Sequence, residues 1–188
     1  MDTEKGKVLL PIARAAIASA LDIYEHNADE SAPWLSEHGA SFVTLTRNGE
    51  LRGCIGSLQA HRPLLEDVRE NAVAAALYDP RFPSLRAVEL EDITIEVSVL
   101  SQAHAMAFVD ETDALAQLRP GIDGLIFEYR HFRSTFLPQV WEQLPQPREF
   151  MAHLKHKAGL HPDFWNGEVK LSRYTVSKWT ERDYFGNS

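Results

Sequence analysis

The asparagine–glycine pair Asn48-Gly49 constrains the fold of this chain more than any other feature. It separates two extended runs, 41–47 and 50–58. Both turn residues tolerate positive φ angles, so Asn-Gly between extended runs strongly indicates a two-residue β-hairpin. The two runs are therefore predicted to be antiparallel neighbours in a sheet, with side chains that alternate between its two faces.

The second strand of this hairpin carries Arg52-Gly53-Cys54-Ile55-Gly56, which contains the only cysteine of the chain. Regular alternation predicts that Arg52, Cys54 and Gly56 share one face. A guanidinium group one strand repeat from a thiol would favour the thiolate. Glycine inside a strand often marks the close approach of a ligand or of another backbone, which makes Gly53 and Gly56 candidate binding positions.

The remaining chain predicts an α+β fold. Apolar residues at helical spacing predict helices over 4–26 and 63–77, and the alternation within 92–100 predicts a strand. We expect a mostly antiparallel sheet that includes 41–47, 50–58 and 92–100, with both helices on one face. Residues 1–188 are predicted to form a single domain with two lobes. Later segments predict helices over 112–118, from 137 and over 148–157, strands over 125–129, 132–136 and 169–178, and a loose tail at 185–188.

Composition narrows the class of protein. A chain of 188 residues with 44% apolar residues can bury a globular core. A net charge of −8 argues against a general binder of nucleic acid or anionic membranes, since such a binder needs a basic face. One cysteine cannot form an internal disulfide, which predicts a reducing compartment, the cytoplasm. Neither a signal peptide nor an apolar run of the ~20 residues that span a membrane is predicted.

A second pair of polar residues lies on the strand 92–100. Alternation places Glu96 and Ser98 on one face of it. Polar residues on a covered sheet face are usually paired or used in a site. We therefore expect Glu96 and Ser98 on the same side of the sheet as Cys54, with Arg52 close enough to contact Glu96 directly or through one water. In the alternative, Glu96 and Ser98 simply face solvent on an open sheet.

Three further segments supply candidate residues. The loop Asp79-Pro80-Arg81-Phe82-Pro83 predicts either an Asp–Arg pair that closes a turn, or an Arg81 fork that binds a carboxylate or phosphate. Gln139, beside a proline, is a candidate ligand-facing amide. His153 and His156 share a helix face, but no acidic or cysteine partner has ligand spacing there, so no metal and no other cofactor is predicted.

Five blocks of this sequence together resemble the AMMECR1 domain family. Bacterial and archaeal members are known as AmmeMemoRadiSam system protein A, after their co-occurrence with Memo-like and radical-SAM proteins. The resemblance covers nearly the whole chain and implies the family's two-lobed α+β fold, a site around Cys54, and Memo-like and radical-SAM partners, but it names no reaction. The blocks are Arg52-Gly53-Cys54-Ile55-Gly56, Asp79-Pro80-Arg81-Phe82-Pro83, Glu96-Val97-Ser98-Val99-Leu100, 135–141 and Lys157-Ala158-Gly159.

Three hypotheses for function follow. In the first, the protein is an enzyme that uses Cys54 as nucleophile or covalent carrier on a small anionic substrate. Arg52 would activate the thiol or hold the anion, and Glu96 would be the acid/base partner. Binding contacts would come from Gly53, Gly56, Arg81, Ser98 and Gln139.

In the second hypothesis, the same cleft is a non-catalytic module that binds a small ligand or the tail of a Memo-like partner. A lone cysteine is often a small buried hydrophobe, which is compatible with this alternative. The third, a subunit of a nucleic-acid modification system, is disfavoured by the net charge of −8.

Overall fold

The computed structural model describes residues 2–186 and has an α+β fold, as predicted. The described residues divide into two compact units, 2–100 with 177–186 and 101–176. Residues 187–188 of the predicted tail lie outside the described residues. In chain order the elements are α1 (Thr3–Ala20), β1 (Ala40–Arg47), β2 (Glu50–Gly56), α2 (Leu64–Leu77), β3 (Ile93–Leu100), β4 (His104–Ala105), α3 (Glu111–Gln117), β5 (Gly124–Tyr129), β6 (Phe132–Phe136), α4 (Pro147–Lys157), β7 (Lys170–Tyr174), β8 (Val176–Thr180) and α5 (Glu181–Phe185).

The first unit contains an antiparallel sheet with the strand order β2-β1-β3-β8. Its covered face carries β-branched and aliphatic residues such as Val43, Leu45 and Val97, which are fully buried against α1 and α2. The prediction that both helices pack on one side of the hairpin is therefore confirmed. The opposite face, here called the open face, carries partly exposed residues: Phe42, Thr44, Thr46, Cys54, Gly56, Thr94, Glu96 and Ser98.

The second unit contains the other antiparallel sheet, with the strand order β4-β7-β5-β6. Its core is built around Phe127 and Phe150, and the ring of Trp141 stacks on Phe150 with centroids 3.8 Å apart. Among residues 2–186, no helix is long and apolar enough to cross a membrane.

Some predicted boundaries are wrong. The predicted helix 4–26 ends at Ala20, and Asp22 follows with a φ of 60°, which does not continue a right-handed helix. The predicted strand 169–178 is two strands, β7 and β8, which belong to different sheets. The helix predicted from residue 137 is a single 3₁₀ turn, Pro138–Glu142.

The hairpin contains a β-bulge that alternation did not predict. Arg47 pairs with Glu50 and Thr46 with Leu51, but Leu45 pairs with Gly53, so Arg52 is an extra residue in β2. A regular register would have placed Cys54 opposite the buried Val43. The bulge shifts the register by one residue and places Cys54 opposite Thr44 on the open face.

The side chain of Arg52 does not lie beside the Cys54 thiol. Arg52 is only 9% exposed, and its Nε and Nη2 atoms each donate to a Glu89 carboxylate oxygen at 3.4 Å. Arg47 lies on the same face of β1 as the buried residues Val43 and Leu45. It donates to the same Glu89 carboxylate at 3.1 Å. The Arg52 guanidinium group therefore lies on the covered face of the sheet. The predictions that Arg52 shares a face with Cys54 and contacts Glu96 are wrong.

Glu89 belongs to the 3₁₀ turn Ala87–Asp92, which leads into β3. The backbone N–H of Arg86 and then the Arg52 guanidinium lower the pKa of the Glu89 carboxyl, against the effect of its burial. Glu89 is therefore held as a carboxylate, and it joins the bulge of β2 to the segment before β3.

Replacing Glu89 with Gln should destabilise the fold. The change leaves the buried Arg52 guanidinium without its carboxylate, so the free energy of unfolding should fall by about 3 kcal/mol. Glu91→Gln is the matched control, because the Glu91 side chain is 81% exposed and should change stability by less than about 0.5 kcal/mol. Urea unfolding of both variants measures the difference, and equal losses would contradict this role of Glu89.

Candidate functional site

The Cys54 thiol lies partly exposed on the open face. Its Sγ atom is 3.2 Å from Oγ1 of Thr44, and this hydrogen bond can run in either direction. Sequence reasoning missed Thr44, because Thr44 faces Cys54 only when the bulge is present. Threonine at the cross-strand position gives the thiol a fixed polar neighbour.

The backbone of Cys54 is bound at the outer edge of the sheet. β2 is an edge strand, and such strands present unpaired N–H and C=O groups. The Cys54 N–H donates to Oδ2 of Asp79 at 3.0 Å, and Nη2 of Arg81 donates to the Cys54 carbonyl at 3.3 Å. Residues 79–81 thus occupy the place of a neighbouring strand at this one residue.

Asp79 and Arg81 form a forked ion pair. Arg81 donates from Nε to Oδ1 at 3.0 Å and from Nη2 to Oδ2 at 2.8 Å. Asp79 is buried, whereas the Arg81 side chain is 55% exposed. The hydrogen bonds from Arg81 are the main reason that the pKa of Asp79 is well below its usual range, although burial alone would raise it. The Asp–Arg pair that closes the turn is therefore present, and it holds a guanidinium group beside Cys54, while binding of an anion by Arg81 stays a prediction.

Cys54, Thr44 and Glu96 form a row across three strands. Thr44 is the register partner of Cys54 on β2 and of Glu96 on β3. Two strand spacings put the Cys54 and Glu96 Cα atoms about 10 Å apart. Glu96 thus lies on the same side of the sheet as Cys54, as expected from the sequence, while its catalytic role stays a prediction. Ser98 is on the same face, opposite Phe42.

The close approach expected at the two glycines is made by the protein itself. A Cβ atom on Gly53 would lie 2.1 Å from the carbonyl oxygen of Ala75, so glycine there lets α2 pack directly on β2. A Cβ atom on Gly56 would lie 2.2 Å from the ring of Phe42, which covers this glycine from the neighbouring strand. These contacts account for both glycines through packing, and a ligand contact at either one stays a prediction.

The remaining candidates lie in the second unit. Gln139 is exposed in the turn Pro138–Glu142, and its role in binding stays a prediction. His153 and His156 are exposed on α4. Within residues 2–186, no group of three or more His, Cys, Asp and Glu side chains is arranged to hold a metal ion.

A cavity of about 460 Å³ lies in the first unit between α1, the start of β3 and α5. Its floor includes Arg14, whose guanidinium is bonded to Glu181 and to the carbonyls of Leu90 and Ile93. None of the candidate residues from the sequence lines this cavity. The candidate site is therefore the open face around Cys54.

Comparison with known proteins gives consistent results. The family model described as AMMECR1 matches residues 10–179. The chain is 39% identical to a protein of Sulfolobus acidocaldarius over 93% of this chain and 80% of that protein, and 36% identical to one of Methanothermobacter thermautotrophicus over 96% of each. Among solved structures it resembles an uncharacterized protein from Pyrococcus horikoshii, with 33% identity, a TM-score of 0.76, and coverage of 95% of this chain and 92% of that one.

Stability should depend on the ionised form of Asp79. The pKa of Asp79 is lowered in the folded protein, so the ionised form stabilises the fold. This stabilisation is fully present above the unfolded pKa of about 3.9 and is lost as pH falls toward the folded pKa. Asp79→Asn should be about 2 kcal/mol less stable than the wild type at pH 7, because charge-assisted hydrogen bonds from Arg81 and from the Cys54 N–H are weakened while the exposed Arg81 stays solvated. The difference in unfolding free energy between the two proteins should narrow as pH falls below about 4.

Denaturant unfolding between neutral and acidic pH measures this difference. Asp163→Asn is the control, because the Asp163 side chain is 93% exposed, and its curve should follow the wild type. A constant difference between Asp79→Asn and the wild type across this pH range would contradict the assignment.

Proposed function

The chain belongs to the AMMECR1 family, and on that premise we propose that it is an enzyme in which Cys54 bonds covalently to a small anionic substrate. The observation that carries the proposal is the pairing of a partly exposed thiol with a guanidinium group anchored at the same residue. The Sγ atom points to the open face, and Arg81 is bonded to the Cys54 carbonyl at 3.3 Å.

Arg81 supports an anionic substrate. Its Nε and Nη2 atoms are held by Asp79, while Nη1 has no hydrogen-bond partner among residues 2–186. A guanidinium group held in this way is already oriented to donate to a carboxylate or phosphate. Since the protein carries a net charge of −8, a fixed cation beside the thiol would concentrate anions there against the general field.

The row across the sheet supports a division of roles. The Cys54 thiolate attacks an electrophilic carbon, an S–C bond forms, and the displaced electron pair moves to a substrate oxygen. Glu96, about 10 Å away along the row, is too far to take the thiol proton directly, so the thiol proton passes through water to the Glu96 carboxylate, which then gives it to that oxygen at the far end of the substrate. Thr44 orients the thiol, and Arg52 acts through its bond to Glu89, as a positioning residue for the bulge.

The alternative, a non-catalytic module that binds a ligand or partner on the same face, is favoured by one observation. The group bonded to Sγ is the hydroxyl of Thr44, which cannot act as a general base near neutral pH. In either case we propose Memo-like and radical-SAM proteins as partners, on the basis of the family. A cytoplasmic location is proposed because the lone thiol suits a reducing compartment.

Alkylation rates separate the two functions and test the role of Arg81. Wild-type Cys54 should react rapidly at neutral pH in the folded state, and with anionic iodoacetate in preference to neutral iodoacetamide. Arg81→Gln should lower the ratio of the two rates about tenfold, because a charge-assisted contact to the reagent is lost. Arg69→Gln is the control, since Arg69 is a partly exposed arginine paired with Glu30 elsewhere in the unit.

Mass spectrometry follows the modification and identifies any adduct on Cys54 in protein purified from its native host. A thiol that reacts only when the protein unfolds would contradict the nucleophile and favour the binding module. An unchanged rate ratio in Arg81→Gln would remove Arg81 from the anion site.

A further inference from the structure

A cluster of cationic side chains lies around the Glu89 carboxylate in the first unit. Arg47, Arg52 and Arg86 surround the Glu89 carboxylate, with nitrogen–oxygen distances of 3.1, 3.4 and 3.6 Å. Asp92 contacts Arg47 at 2.8 Å and is the second carboxylate of the group. Three guanidinium charges thus face two carboxylates, which leaves one positive charge uncompensated in a protein of net charge −8.

Two donors of this arginine cluster, defined as Arg47, Arg52 and Arg86, are buried and unpaired. Among residues 2–186, neither Nε of Arg47 nor Nη1 of Arg52 has a hydrogen-bond partner. Arg52 as a whole is only 9% exposed, and both of its bonds to Glu89 are long, at 3.4 Å. Buried polar groups are nearly always satisfied, and leaving a charged donor unpaired is costly. These donors therefore point to an acceptor that the protein chain does not supply.

We propose that the arginine cluster is a binding site for a phosphate-type oxyanion, either free phosphate or the phosphoryl group of a small ligand. The three guanidinium groups come from β1, from the bulge of β2 and from the segment before β3, so they approach from different directions. A tetrahedral oxyanion offers acceptor oxygens in more than one plane and can bond to all three. The Arg86 side chain, 75% exposed, and the Arg47 side chain, 39% exposed, can be reached from solvent, whereas Arg52 is buried.

Bound oxyanion would compete with the two carboxylates of the cluster. Glu89 is buried and holds the bulge, so it stays in place. Asp92 has a 53% exposed side chain and binds only the outer Nη2 of Arg47, so an oxyanion can displace it. Opening this contact and moving the exposed Arg86 side chain aside gives an anion access to Nε of Arg47 and Nη1 of Arg52.

This site is separate from the proposed thiol site. The Arg52 guanidinium lies with the covered side of the sheet, whereas the Cys54 thiol lies on the open face. Phosphate binding at the arginine cluster therefore does not depend on the reactivity of Cys54, and either assignment can fail without the other.

Isothermal titration of the full chain with inorganic phosphate, at constant ionic strength, tests the proposal. Arg86→Gln and Arg47→Gln should each weaken phosphate binding about tenfold, since each removes a charge-assisted contact. Asp92→Asn should tighten it, because the competing carboxylate is gone. A parallel titration with glycerol phosphate identifies the source: tighter binding than inorganic phosphate indicates the phosphoryl group of a larger ligand, and weaker binding indicates free phosphate.

Arg69→Gln, at an arginine paired with Glu30 outside both sites, is the matched control and should leave phosphate binding unchanged, whereas Arg81→Gln separates this site from the thiol site. Circular dichroism verifies that each variant is folded. The proposal is overturned if the wild type binds neither probe at millimolar concentration, in which case solvent satisfies the buried donors. It is also overturned if folded Arg86→Gln and Arg47→Gln bind as the wild type does, or if only Arg81→Gln loses binding, which would place the anion at the thiol.

Discussion

The contact between the Arg52 guanidinium and the Glu89 carboxylate is the constraint on which the candidate site depends. It holds Arg52, the extra residue of β2, on the covered face of the sheet, where this residue is 9% exposed. Because Arg52 is taken out of the pairing, Cys54 moves from a position opposite buried Val43 to one opposite Thr44. A thiol that would otherwise be part of the core is thereby presented on the open face.

Once the bulge has turned Cys54 outward, the surrounding chain fixes it in place. Asp79 and Arg81 bind its N–H and C=O at the sheet edge, and Thr44 bonds its Sγ atom. Gly53, next to it in the chain, allows α2 to pack against β2 at the Ala75 carbonyl. A residue bound on so many sides has little freedom to move, which is what positioning of a reacting group requires.

The hairpin, the strand 92–100 and the helix-covered α+β fold could be predicted because each is encoded locally, by Asn48-Gly49 or by apolar periodicity. The bulge has a weaker signal. In a regular two-residue hairpin, the buried Val43 and Leu45 would lie opposite Cys54 and Arg52. The apolar face of β1 would then meet a charged residue of β2, and this conflict indicates an extra residue in β2. The partner of Arg52 could not be predicted, because Glu89 is 37 residues away in sequence and is brought near only by the tertiary fold.

An engineered cross-strand disulfide tests the register most directly. The backbone groups of Cys54 point away from β1, so Thr44 and Cys54 form a non-hydrogen-bonded pair, whose Cα atoms lie about 4.5 Å apart, within the range of a disulfide. Oxidation of Thr44→Cys should consume both thiols, whereas Val43→Cys should keep its thiols free. A disulfide that forms from position 43 and not from position 44 would show a regular hairpin and contradict the central role of the bulge.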